Sequence, residues 1–141
     1  MYLFSALLAV IGGVAYHHFV KRIPATIHPV VSIVGIYVGV LLLSSALLAL
    51  FPPVEGYRFH FRQLSWVQLA VAVSVFLLEL GFVLMYRAGW NLSSGNLVTG
   101  VFINIILVGL GLFLFQEEVS LINAIGIALS LIGVAMISYR P

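Results

Sequence analysis

Glu79 is the residue whose type and position best suit it to chemistry. It stands thirteen residues after Trp66 inside an apolar run, and it is the one acid far from a candidate helix end. An acidic side chain near mid-membrane costs roughly 2.5–3.5 kcal/mol on insertion scales, so it normally faces a bundle interior, a partner or a water-filled cavity. Helical spacing puts Ala72, Val75, Phe76, Phe82, Val83 and Tyr86 on its face. An acid in an aromatic-lined setting suits a proton or an organic cation. It equally suits a structural role, as a carboxyl hydrogen-bonded to a neighbouring helix; a lipid-facing position would give it neither role.

Asn104 is the second polar group at membrane depth, midway along a later apolar run, and Gly100 and Gly111 share its face. An Asn in a membrane helix commonly bonds a neighbouring helix for about 1 kcal/mol, and contact with a substrate is the alternative. Small residues recur elsewhere. Gly35 and Gly39 form a GxxxG pair, and Gly126, Ser130 and Gly133 line one face of the last run. Such stripes let backbones touch, within one chain or between two. His17 and His18 are adjacent, so on a helix they point about 100° apart and do not share a metal. With His28 and His60 they suit headgroup level. There is no Ser-His-acid order, no paired carboxylates and no phosphate loop in a setting that would use them. Neither an enzyme activity, a cofactor nor a metal is expected.

The elements that position these residues must live in lipid. Charged residues make up 7% of the chain and hydrophobic ones 63%, against about 25% and about 45–50% in soluble domains. Six Lys and Arg with four acids cannot clothe a water-facing exterior. Cysteine is absent, which excludes disulfides and thiolate chemistry. The net charge of +2 is dispersed at helix ends and does not suit nucleic acid. Apolar runs at about 2–19, 30–50, 66–86, 96–115 and 121–139 are each long enough to cross a hydrocarbon layer of ~30 Å. They are continuously apolar, which excludes a β-barrel, and lone strands would leave backbone groups unpaired in lipid. The expectation is an all-α membrane protein: a bundle of five transmembrane helices forming one domain over residues 1–141, with the lipid bilayer as its partner.

The N-terminal run has no basic region before it and is read as a retained span, not a signal peptide. Pro24 and Pro29 bracket a short turn, and Pro52-Pro53 end the second span. Residues 54–65 alternate polar and aromatic side chains, which suits the headgroup zone. Trp66 and Trp90 read as interfacial anchors, and 87–95 as a polar turn. Five spans put the termini on opposite sides. Lys21, Arg22, Arg87 and Arg140 then lie with the C-terminus, against Arg58 and Arg62 on the other side. That bias favours a cytoplasmic C-terminus and is slight enough to leave insertion in both orientations open.

Residues 91–139 resemble the last two helices of a repeat of the EamA-like drug/metabolite transporter family. Gln116-Glu117-Glu118-Val119-Ser120 is similar to the family's short G-E-x-x-S turn, with Gln116 where Gly is usual. Residues 126–134 (GIALSLIGV) look like its G-x-x-L-x-x-x-G-V helix, which small multidrug resistance proteins share and use for dimerisation. More loosely, residues 78–82 (LELGF) with Tyr86-Arg87-Ala88 resemble the third helix and its turn, and 21–29 the linker between helices one and two. The chain departs from the small multidrug resistance proteins in having no acid in its first span. It departs from the larger family in carrying Asn104 near a position that is often Pro. The resemblance implies one five-helix repeat where a typical member has two, inverted. It therefore implies a homodimer, antiparallel if the ten-helix arrangement is to be recreated. The proton/drug mechanism of the small multidrug resistance proteins does not carry over residue by residue; with Glu79 at membrane depth, the expectation is a proton-coupled exporter of metabolites or organic cations in the cytoplasmic (inner) membrane. Glu79, Tyr86, Phe76, Phe82 and Asn104 would line the substrate or proton site, and Gly126, Ser130 and Gly133 would pack the dimer. A lipid-carrier flippase subunit and a non-transporting scaffold or accessory protein are the alternatives.

Overall fold

A computed structural model describes residues 2–114, 116 and 120–138. Among them every regular element is a helix: α1 (Tyr2–Val20), α2 (Pro29–Leu50), α3 (Tyr57–Arg62), α4 (Trp66–Arg87), α5 (Leu92–Leu114) and α6 (Leu121–Ser138). Four of them, α1, α2, α4 and α5, are long and apolar enough to cross a membrane. At 1.5 Å per residue they run roughly 28–35 Å. The fifth expected span corresponds to α6, whose apolar stretch, Leu121–Ile137, is shorter than these four. Phe115, Glu117, Glu118, Val119, Tyr139 and Arg140 lie outside the described residues.

Local chemistry accounts for the helix ends. Pro29 opens α2, where a missing N–H costs nothing, and His28 O accepts from Ser32 N–H at 3.1 Å. Ser65 caps α4: its hydroxyl accepts from Val67 N–H at 3.3 Å, while Gln68 Oε1 accepts from Ser65 N–H at 2.8 Å. Two boundaries differ from expectation. The fourth apolar run becomes helical at Leu92, not near 96, because Asn91 O already accepts from Gly95 N–H at 2.9 Å. Ser94 donates to the same carbonyl at 3.4 Å, so polar residues that read as a turn form the first helical turn. Within 54–65, residues 57–62 are the short helix α3, held to the end of α2 by Tyr57 Oη donating to Leu48 O at 3.0 Å. Trp66 and Trp90 are both exposed at helix ends, where anchors belong.

The chain divides into two compact units. One contains α2, α3 and α4. Here α2 packs on α4, with Ile33 and Val83 each 1% exposed. At the far end of α4, Arg87 Nη2 donates to Ile27 O at 2.6 Å and Pro24 O at 3.4 Å, just ahead of the start of α2. The C-terminus of one helix thus meets the N-terminus of the other, and the pair is antiparallel. The second unit contains most of α1 with α5 and α6, and there α5 packs on α6. Gly111 and Val134 are its buried residues on those two helices, with Gly95 at the start of α5. In both units most large apolar side chains, such as Leu41, Leu77 and Phe113, stay exposed. Water would penalise such a surface; acyl chains do not.

Between α5 and α6, Gln116 has φ +52°, a left-handed conformation that favours Gly. Gln116→Gly is therefore expected to stabilise the protein by about 0.5–1 kcal/mol, read as a higher midpoint in detergent unfolding. Ile33→Ala should cost about 2–5 kcal/mol in the same assay, whereas Val34→Ala, at an exposed site, should change it little.

Candidate functional site

The acid at membrane depth is turned inward. Glu79 is 7% exposed, and Phe82, Val83 and Tyr86 are buried beside it on α4, with Phe76 half-buried one turn back. These are four of the six residues that helical spacing puts on its face. Ala72 and Val75, expected on that face as well, are exposed. Phe82 and Tyr86 stack with centroids 6.0 Å apart and planes at 22°, which makes a flat aromatic wall one turn from the carboxyl.

Across the helix pair, Tyr37 faces Glu79. The depth of the two groups follows from the register set by Arg87. Tyr37 lies eight residues after Pro29 on α2, and Glu79 lies eight residues before Arg87 on α4. In an antiparallel pair both sit about 12 Å from the same end. The phenol and the carboxyl interact electrostatically. Even so, neither Tyr37 Oη nor Glu79 Oε2 has a hydrogen-bond partner in good geometry among the described residues, although both are buried. Buried polar atoms are nearly always satisfied, and an open pair of this kind is where a proton, a water or a cation fits. Sequence spacing did not single out Tyr37. The available signal was a lone phenol within the second apolar run, one turn from Ile33.

Asn104 belongs to the other unit. It is exposed and opens onto a groove of about 450 Å³ between α5 and α6, together with Asn123, Gly126 and Ser130. Two of the residues expected to pack a dimer thus share a groove with a residue expected to line the acid's site. Ser130 donates to Gly126 O at 2.9 Å. A Cβ added at Gly126, at Gly133 or at either glycine of the Gly35/Gly39 pair would meet nothing within 4 Å among the described residues. These stripes are therefore open in the single chain.

A helical chain with four such apolar helices is a multi-pass membrane protein. No family model, no curated protein and no solved structure matches it, so the drug/metabolite transporter resemblance rests on the motifs themselves.

If the Glu79 carboxyl is kept for function, removing it should relieve an unsatisfied group. Glu79→Leu is expected to raise stability by about 1–3 kcal/mol, measured by scanning fluorimetry of the detergent-solubilised protein. A loss of similar size would mark Glu79 as a structural bond between helices.

Proposed function

We propose that this chain is one five-helix repeat of the drug/metabolite transporter type, with α6 as its fifth span, and that it exports a small organic cation or metabolite in exchange for a proton. The observation that carries this reading is the burial of Glu79 opposite Tyr37: the carboxyl and the phenol interact with each other, and neither Glu79 Oε2 nor Tyr37 Oη has a partner in good geometry among the described residues. A single carboxylate binds a proton or a cation but not both, and that competition is itself a coupling between the two. The stacked Phe82 and Tyr86 rings, with Phe76, add an apolar and cation-attracting wall for an organic ion. Tyr37 supplies the group that orients the carboxyl toward its ligand.

Two copies, packed antiparallel, would supply the inverted repeat around which transporters build midplane sites. The open space at Gly126 and Gly133 supports close packing there by a second copy. The cytoplasmic (inner) membrane is the location that goes with this activity.

Liposomes containing the purified protein and a trapped pH dye test the exchange. With ethidium as the cation and an imposed pH gradient, wild type is expected to move protons against dye. Glu79→Gln should fall to the level of empty liposomes, and Tyr37→Phe should fall about tenfold, the equivalent of roughly 1.4 kcal/mol. Unchanged flux in Glu79→Gln would remove the acid from the mechanism and leave a scaffold or accessory subunit as the better reading.

A further inference from the structure

A second cleft lies in the unit that contains α1 and α5, and nothing in the Glu79 reading uses it. Its volume is about 740 Å³, inside the ~300–1,000 Å³ range of small-molecule sites. One wall is a single face of α1, formed by Val10, Gly13, Val14 and His17 at i, i+3, i+4 and i+7. Facing it at the start of α5 are Leu92, Ser93 and Asn96, with Asn91 just ahead of the helix.

The cleft is graded along the axis of α1. His17 is three residues from the end of α1, and Asn91, Ser93 and Asn96 cluster at the beginning of α5, so the polar groups sit at one mouth. Val10 and Val14 lie one to two turns deeper and are exposed into it. His17 hydrogen-bonds Asn96, which ties the two walls together at that mouth. Every polar side chain lining the mouth can donate a hydrogen bond, and among the described residues no carboxylate lines the cleft. An apolar wall in hydrocarbon beneath an acid-free ring of donors matches a molecule with an anionic oxygen head and an acyl tail.

We propose that this cleft binds an anionic phospholipid, whose phosphate charge no ammonium on the headgroup offsets, in preference to a zwitterionic one. The bound lipid's phosphate oxygens accept hydrogen bonds from His17, Ser93 and the Asn91 and Asn96 amides, and one acyl chain lies along Val10, Gly13 and Val14. Phosphate chemistry alone would also admit a soluble phosphate ester. The apolar wall favours the lipid, because a soluble ester would leave that wall bare.

Trp90 adjoins the mouth in sequence and reports on it. The full chain carrying Trp66→Phe, which leaves one tryptophan of the two, is placed in phosphatidylcholine nanodiscs. Phosphatidylglycerol brominated on its acyl chains is then added in increasing share, with brominated phosphatidylcholine as the reference. Trp90 quenching is expected to saturate at a phosphatidylglycerol share about tenfold below that needed for phosphatidylcholine: both phosphates can accept the same hydrogen bonds, but the choline ammonium finds no carboxylate to pair with among the described residues lining the cleft. His17→Leu should erase the difference. Ser93→Glu alters only an exposed rim position and should erase it too, by placing a carboxylate against the phosphate. Asn123→Ala, in the other groove, should leave it intact. Equal quenching by the two lipids, or a preference that survives both His17→Leu and Ser93→Glu, overturns the proposal. Displacement of the brominated lipid by millimolar inorganic phosphate overturns the lipid in favour of a soluble ester. None of these readouts passes through Glu79, so this proposal and the transport reading fail separately.

Discussion

A carboxyl group in hydrocarbon is tolerable only where protein walls it off, and in this chain the wall is the antiparallel contact between α2 and α4. Ile33 and Val83 close that contact so tightly that each is 1% exposed. Glu79 and Tyr37 meet inside it because Arg87 fixes the register by holding the carbonyls of Pro24 and Ile27. A slip of one residue would turn either group by about 100° and bring it toward lipid. The clamp at the end of the pair and the open polar pair a third of the way along are therefore one device: the first sets where the second falls.

The other unit handles polarity differently. There the amides of Asn104 and Asn123 and the Ser130 hydroxyl border an open groove, and His17 and Asn96 bond at the mouth of an open cleft. Association of helices in lipid depends on van der Waals contact and a few polar bonds, since burial of apolar surface brings little there. A chain with so little buried interior leaves many of its polar groups facing spaces that a second molecule can occupy.

The burial of the acid was legible in the sequence, and the residue facing it was not. Glu79 announces itself because a charge interrupting an apolar run is costly, and the i±3 and i±4 rule gives its neighbours on α4. Tyr37 needs the register between two helices, which depends on Arg87 reaching backbone carbonyls that no pattern of side chains reveals. The start of α5 departs from expectation for a related reason. Ser93, Ser94 and Gly95 look like a turn by composition, yet the Asn91 carbonyl already accepts the first helical bond. Gln116 was not legible either: its backbone adopts a left-handed geometry that favours Gly, and nothing in the side chain announces it. The grouping of Asn104 with Gly126 and Ser130 needed the packing of α5 on α6, which spacing along either helix alone does not contain.

The Arg87 clamp also bears on how the protein is made. It joins residues sixty and more positions apart, so it closes only after the ribosome has delivered α2, α3 and α4 to the membrane. Until then the Ile27 carbonyl must be solvated by water or headgroups, while that of Pro24 keeps only its local bond from Ile27 N–H, and α2 lacks the anchor that sets its register against α4. During that interval the facing of Tyr37 is undetermined. The acid's surroundings are thus assembled at the last step of hairpin insertion, and a nascent chain halted before residue 87 would carry its second helix without an orientation.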